Sequence, residues 1–280
     1  MSRPPLPQCC SPEAFKLLAR QAETIKSSDA LLNGAVAIAM HHMPDANPQR
    51  IDRLLQHYVD LVRKQTRSQQ PQAILAHLHD VLFTQEGFLG NTEDYYNPAN
   101  SYLPAVLATK RGLPITLSLI YKIIAERLGL RTWGVGLPGH FLVAVEEQPQ
   151  KVLLIDPFGG GRALSRDEAQ DRLRELFGQE MDLTNDMLQP ASNRHWLTRI
   201  LQNLLHIFGT NNQYADVAAI LEMEMLLWPE QSHLQRDLGL VLARCGLAVP
   251  ATVWLDRYLQ TNPDDPQTSQ IKELLQVLSA

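Results

Sequence analysis

A histidine and an aspartate stand where two neighbouring strands would bring them together. His140 follows Pro138-Gly139 and opens the strand-like segment Phe141–Val145, and Asp156 ends the next one, Val152–Ile155. If the two strands are antiparallel neighbours, the start of the first lies beside the end of the second. A carboxylate next to an imidazole holds its tautomer. We therefore expect contact between His140 and Asp156, either as a structural pair that joins two strands or as two members of a catalytic triad.

A nucleophile at the start of a helix would complete such a triad. Pro114 fits the first position of a helix that ends near Leu128 and is closed by Gly129. The dipole at a helix N-terminus lowers the pKa of a thiol placed there. A cysteine at this position, together with the histidine and the aspartate, would form a triad for acyl transfer.

The elements that position these residues fall into three predicted regions. Residues 1–70 read as helical, because apolar residues recur at helical spacing and prolines mark the helix starts. Residues 71–190 form the core: helices over 73–83 and 114–128 precede three short β-branched segments at 132–135, 141–145 and 152–155. A helix followed by antiparallel strands indicates an α+β fold that is mostly helical.

The third region, residues 191–280, is helical and carries a repeat. Pro229 and Pro263 are 34 residues apart, the period of tetratricopeptide repeats. Leu238-Gly239 on a first helix and Leu255 on a second fall at consensus places, and the small glycine lets the two helices approach closely. An ordinary array of helical hairpins is the alternative interpretation.

Four motifs resemble those of the SirB-type proteins, a branch of the transglutaminase-like superfamily. These are Asn97–Leu103, Arg111–Ser118, Pro138–Leu142 and Ile155–Phe158. The resemblance covers nearly the whole chain. It implies a helical N-terminal part, a transglutaminase-like, papain-type core with a small antiparallel sheet, and C-terminal tetratricopeptide repeats. It also implies a link to bacterial regulation, but no established biochemical activity.

The sequence departs from the catalytic pattern of the superfamily at the nucleophile. Counting back from Gly129 places Pro114 where the resemblance implies the cysteine, and proline has no nucleophile. The chain's three cysteines are remote from this segment in sequence, namely Cys9, Cys10 and Cys245. Thr116 and Ser118 carry hydroxyls that could substitute, but a hydroxyl needs a closely hydrogen-bonded base. The alternative is that both side chains pack or hydrogen-bond within the helix.

Our leading hypothesis is a pseudoenzyme that binds a protein or peptide and acts as a regulator. The predicted binding residues are Tyr95, Tyr96, Asn100, Tyr102 and Arg111, with the three tyrosines lining a groove near His140. The second hypothesis is a hydrolase or acyltransferase. It would use Ser118 or Thr116 as nucleophile, His140 as base and Asp156 as the residue that orients the base.

Composition and charge argue against several other classes of function. The net charge of −5 and the lack of a helix-turn-helix signal argue against nucleic-acid binding. We expect no membrane segment and no cofactor. We also expect no metal site, because His41-His42 and His77-x-His79 would direct their rings to different helix faces. Three cysteines are too few for a disulfide scaffold, so we expect a cytoplasmic protein. The sequence leaves the oligomeric state open.

Overall fold

Twelve helices dominate the described part of the chain. The computed structural model describes residues 6–148, 151–178 and 181–279, and at residues 176 and 177 it describes only the backbone. The helices are α1 Pro12–Glu23, α2 Ser28–Met40, α3 Pro48–Gln65, α4 Pro71–His79, α5 Leu103–Thr109, α6 Pro114–Arg127, α7 Arg166–Phe177, α8 Asn193–Thr210, α9 Tyr214–Leu227, α10 Ser232–Arg244, α11 Ala248–Thr261 and α12 Thr268–Leu278.

A small antiparallel sheet lies in the middle of the chain. Its four strands, β3 Thr132–Leu137, β4 His140–Gln148, β5 Lys151–Asp156 and β6 Arg162–Leu164, pair in chain order. The two-residue strands β1 Leu89–Gly90 and β2 Arg111–Gly112 pair in parallel elsewhere. Gly139 in the β3–β4 turn has a φ of 63°, a left-handed conformation that glycine adopts without steric cost. This tight turn places His140 directly opposite Leu137.

Helices cover both faces of the sheet. On one face, Phe141, Val143 and Val145 join the large apolar core that also contains residues of α1–α6 and α8–α11. On the other face, Leu142 and Ala144 pack with Ala169 and Leu173 of α7. This division follows from the two-residue alternation of a strand. Because one core includes residues from the N-terminal, central and C-terminal regions, the helices on either side hold the sheet in place.

The predicted elements agree with most of the structure. The α+β class and the small antiparallel sheet are confirmed, α1, α2 and α3 lie in the predicted helical region 1–70, and α6 begins at Pro114 as predicted. The segment predicted as a helix over 73–83 begins at Pro71 and continues beyond α4 as a π-helical turn, Asp80–Gln85. Strand β4 extends to Gln148, beyond the segment predicted at 141–145. Residues 149 and 150 lie outside the described residues.

The sequence analysis did not assign α5, α7 or β6. For α7 a local signal existed, because Ser165 and Glu168 form a capping box in which each side chain accepts the other residue's backbone N–H. Strands of two or three residues such as β1, β2 and β6 are too short to leave a periodic pattern.

The C-terminal helices pack one on the next from α8 to α12. At Gly239 a Cβ atom would lie 2.7 Å from Cγ of Leu255, so the glycine permits the close approach of α10 and α11. Within the described residues, no helix is both long enough and apolar enough to traverse a lipid bilayer.

Candidate functional site

The structure brings His140 and Asp156 together. His140 begins β4 and Asp156 ends β5, and Nε2 of His140 lies 3.0 Å from Oδ1 of Asp156. Both side chains are buried. Despite the short distance, the imidazole N–H is not aligned for a hydrogen bond to this oxygen. The carboxylate therefore holds the ring by close packing rather than by an aligned hydrogen bond, and the ring also makes a T-shaped contact with Phe158, at 6.0 Å between ring centroids.

The Asp156 carboxylate also organises the loop that follows β5. Its Oδ1 accepts the backbone N–H groups of Phe158, at 3.0 Å, and Gly159, at 3.2 Å. An aspartate that binds amides two and three residues ahead forms a local turn, which explains the Asp-Pro-Phe-Gly sequence here. One oxygen thus fixes both the loop and the histidine, so the pair has a structural role whether or not it does chemistry.

The hydroxyls proposed as nucleophiles do not hydrogen-bond to His140. Ser118 is buried and donates to the carbonyl oxygen of Phe141 at 3.2 Å. Thr116 is fully buried, and its Oγ1 has no hydrogen-bond partner. Pro114 is buried at the first turn of α6. A hydroxyl becomes a nucleophile when a base takes its proton, and here neither hydroxyl shares a hydrogen bond with a base.

The three cysteines belong to a different part of the molecule. The backbone N–H groups of Cys9 and Cys10 donate to the carboxylate of Glu222 on α9, and the Cys9 thiol interacts with that of Cys245. Burial, reinforced by the negative charge of Glu222, raises the pKa of both Cys9 and Cys10 to about 12. Thiols in such surroundings remain protonated and unreactive at neutral pH.

Two of the predicted binding tyrosines lie near the histidine. The ring of Tyr95 meets that of Phe158, which in turn contacts His140. Tyr96 is 65% exposed and packs against Tyr95 and against His206 of α8. Burial raises the pKa of the Tyr95 hydroxyl. Tyr95 and Tyr96 thus form an aromatic wall that is open to solvent at Tyr96.

The other three predicted binding residues have structural partners. The buried Asn100 amide donates to the carbonyl oxygens of Asp94 and Tyr95, so it shapes the loop that carries the tyrosines. Arg111 is exposed and donates to the carbonyl oxygens of Gly87 and Lys110. Tyr102 departs from the expected groove, because it is buried with its ring stacked on His42.

Arg199 of α8 is a residue that the sequence analysis missed. Its Nη1 donates to the carbonyl oxygen of Leu137 at 2.9 Å, and its guanidinium lies 5.3 Å from the ring centre of Phe141. Burial lowers its pKa, and the nearby Tyr95 hydroxyl partly opposes that shift. No local signal distinguishes this arginine in the sequence. Only the packing of α8 against the β3–β4 turn brings it here.

Two adjacent histidines converge, contrary to the sequence expectation. Nε2 of His41 and Nε2 of His42 lie 3.3 and 3.1 Å from Oδ1 of Asp216, because both residues follow the end of α2. This set could ligate a cation. However, the N–H of Ser11 donates to Nδ1 of His41, so Nε2 carries the proton and has no lone pair for a metal. We interpret the set as a hydrogen-bonded link between α2 and α9.

The second predicted pair of histidines does diverge. His77 approaches Oε1 of Gln65 at 3.3 Å, and His79 hydrogen-bonds to the hydroxyl of Tyr121 at 2.8 Å.

Comparison with known proteins identifies the class to which this fold and site belong. Residues 49–202 match the family described as the transglutaminase-like superfamily, and the chain therefore belongs to that superfamily. The match includes α6, the whole sheet, and both His140 and Asp156.

Within that class the chain is similar to the UPF0162 proteins. It is 34% identical to the UPF0162 protein of Xylella fastidiosa strain 9a5c over 253 residues, 89% of this chain and 90% of that protein. The UPF0162 protein of Pseudomonas aeruginosa is 31% identical over 62% of this chain and 63% of its own length. Human F-box only protein 21 is 31% identical over 58% of this chain and 26% of its own length. No solved structure shows significant similarity to the chain.

Proposed function

We propose that this protein is a non-catalytic member of the transglutaminase-like superfamily that binds a protein or peptide. The observation that carries the proposal is the chemistry at the start of α6. Pro114 stands where the resemblance implies the cysteine, Ser118 donates to a main-chain carbonyl, and Thr116 has no hydrogen-bond partner among the described residues. His140 and Asp156 then serve to fix the β4 and β5 ends beside the Tyr95–Tyr96 wall.

The C-terminal helices support a binding role. We infer that α8–α11 form two tetratricopeptide-like hairpins, as in the SirB-type proteins that the motifs resemble. The close approach at Gly239 and the 34-residue spacing of Pro229 and Pro263 favour this interpretation. Stacked helical hairpins present an extended surface to a partner. A bacterial regulator acting in the cytoplasm fits this picture, because free thiols as close as Cys9 and Cys245 suit a reducing compartment.

The competing function is a hydrolase or acyltransferase with Ser118 or Thr116 as nucleophile. The buried approach of His140 to Asp156 favours it, since a base and the group that orients it are already adjacent. The two proposals differ in whether the protein forms a covalent bond to a ligand.

A labelling experiment separates the two. The purified full chain is treated with a fluorophosphonate probe and with an activated ester, and adducts are measured by intact-protein mass spectrometry. The variants Ser118→Ala, Thr116→Val and His140→Gln are treated in parallel. We expect no adduct on α6 in any of them and ester hydrolysis equal in all four proteins. An adduct on Ser118 or Thr116 that disappears in His140→Gln would overturn the proposal in favour of the enzyme.

A binding comparison tests the positive half of the proposal. Tagged wild type and His140→Ala are used to capture proteins from the native host, and each captured protein is then purified and its affinity measured directly. We expect the two forms to bind the same partner with similar affinity while both remain folded by circular dichroism. Loss of binding in a folded His140→Ala protein would contradict a role confined to structure.

A further inference from the structure

We propose that Arg199, together with Tyr95 and Tyr96, forms a site for a carboxylate group of a bound peptide. This inference deepens the binding function proposed above and rests on it. It assigns the chemical class of the ligand group and the residue that recognises it.

The first observation is a guanidinium that lacks an acidic partner. Arg199 is half-buried, it donates one hydrogen bond within the described residues, to the carbonyl oxygen of Leu137, and its guanidinium lies over the ring of Phe141. Among the described residues no carboxylate pairs with it. Removing a charge from water without a counter-ion is unfavourable. Because a guanidinium has five N–H donors in a planar fork, most of its hydrogen-bonding capacity stays available to a ligand.

A second arginine on the same helix, Arg194, has a similar environment but receives electrostatic compensation. Arg194 also lies over an aromatic ring, that of Trp228, and donates to a single carbonyl oxygen, that of Leu227. Leu227 is the last residue of α9, where the helix dipole places partial negative charge. Leu137 ends a strand, and strands carry little net dipole. Arg199 therefore lacks the compensation that Arg194 receives.

The surroundings of Arg199 suit a peptide. Leu137, whose carbonyl Arg199 binds, lies opposite His140, and His140 contacts Phe158, which meets Tyr95. Tyr96 continues the aromatic wall to solvent and to His206 of α8, the helix that carries Arg199. Tyrosines offer a large apolar contact area with a polar tip at little cost in side-chain entropy. Gly136 lets the guanidinium pack closely against the backbone of β3, since a Cβ there would lie 3.1 Å from Nη1 of Arg199.

A carboxylate is the ligand group that fits this arrangement. It accepts two parallel N–H donors from one guanidinium, and such charge-assisted pairs are about twice as strong as neutral hydrogen bonds. The carboxylate could be a peptide C-terminus or an aspartate or glutamate side chain. Both sources present the same two oxygens, so the test contains a probe for each.

The experiment observes Arg199 directly. The Nε–Hε resonances of the ¹⁵N-labelled full chain are recorded by NMR, and that of Arg199 is assigned by its absence in Arg199→Lys. The protein is titrated with sodium acetate at constant ionic strength, and with acetamide as the neutral isostere. We expect a saturating shift of the Arg199 resonance with acetate and none with acetamide. No saturation, or an equal response to acetamide or chloride, would overturn the proposal.

Peptide probes identify the source of the carboxylate. Acetyl-glycyl-tyrosyl-glycine as the free acid is compared with its amide, and with acetyl-glycyl-aspartyl-glycinamide. We expect one of the two acids to bind at least about tenfold more tightly than the neutral amide, the effect of a charged hydrogen bond. Equal affinity for all three would contradict the assignment of a carboxylate.

Matched variants locate the effect. Arg199→Gln should abolish acetate binding, whereas Arg194→Gln should leave it unchanged, and urea unfolding establishes that both are folded. If Arg199→Gln does not fold, Arg199→Lys keeps the charge without the planar fork and should weaken binding at least about tenfold. Binding that survives in both Arg199 variants would overturn the proposal. A covalent adduct on α6 would refute the non-catalytic function without affecting this result.

Discussion

Two regions of this molecule contain histidines next to a carboxylate, and they differ in what surrounds the pair. Around His140 and Asp156, an imidazole and a carboxylate meet in the core with no thiol in contact. Around His41, His42 and Asp216, two imidazoles and a carboxylate lie near the thiols of Cys9 and Cys245. The second region has every residue type that cysteine chemistry needs, whereas the superfamily match covers His140 and Asp156 of the first.

The comparison teaches that environment, rather than residue type, decides reactivity. Near His41, partial burial raises the pKa of Cys9 most, and the negative charges of Glu222 and Asp216 raise it further. Near His140 the helix N-terminus that could activate a thiol carries Pro114 instead. The region around His140 therefore lacks a thiol, and the region around His41 lacks the positive electrostatic environment that would ionise one.

The largest expected difference between the two regions is in stability. Asp156→Ala should lower the free energy of unfolding by about 2 kcal/mol, because it removes two backbone hydrogen bonds of the loop after β5 and the packing of a buried carboxylate against His140. Asp216→Ala should cost about 1 kcal/mol, since its side chain is 20% exposed and water can replace it. Urea denaturation with unchanged m-values measures both. Equal losses would show that burial does not distinguish the two carboxylates.

Thiol reactivity gives the next largest effect. At pH 8 a pKa of about 12 for Cys9 reduces its thiolate population about 10³-fold relative to an unfolded thiol. The higher nucleophilicity of a more basic thiolate recovers part of this, so alkylation by iodoacetamide should be about 50-fold slower than in urea. Glu222→Gln should accelerate alkylation of Cys9 by removing the nearest charge, with peptide mapping as the readout. Native Cys9 that reacts as fast as the unfolded thiol would contradict the raised pKa.

The pH dependence of stability sharpens the comparison further. Burial, and then the charge of His42, lowers the pKa of His41 below its ordinary value of 6.5. Below pH 6.5 the unfolded chain therefore binds a proton that the folded chain refuses, so stability is full above this pH and falls as the pH decreases. His41→Asn should flatten the decline in urea midpoints between pH 7 and 5. A buried histidine elsewhere, His79, has a lowered pKa for the same reason, and His79→Gln should also flatten the curve. An unchanged slope in both variants would refute the prediction.

The smallest effects concern the hydroxyls behind His140. Thr116→Val should raise the free energy of unfolding by about 1 kcal/mol, because it replaces a buried hydroxyl that has no partner among the described residues with a methyl group of the same shape. Ser118→Ala should cost about 1 kcal/mol, the value of the hydrogen bond to Phe141. Thermal or urea unfolding measures the change in stability of both variants. A lower free energy of unfolding for Thr116→Val would show that the hydroxyl makes a hydrogen bond, and Thr116 would again be a candidate nucleophile.

Much of the fold could be predicted from local patterns. Ser11-Pro12 marks the start of α1, Pro114 that of α6, and the Pro138-Gly139 turn predicts that two strands fold back on one another. These predictions succeed because proline, glycine and apolar spacing act on the backbone within a few residues. They also bring His140 beside Asp156, since antiparallel pairing fixes which strand ends are neighbours.

What the sequence by itself determined, then, is helix α6, the three longer strands β3–β5 and the pairing of His140 with Asp156, because turns and strand register follow from neighbouring residues. Only the tertiary structure decided that Arg199 lies against the β3–β4 turn, that Tyr102 is buried on His42, and that His41 and His42 converge on Asp216. Those contacts join residues far apart in the chain, and their geometry depends on how whole helices pack, which no local pattern encodes.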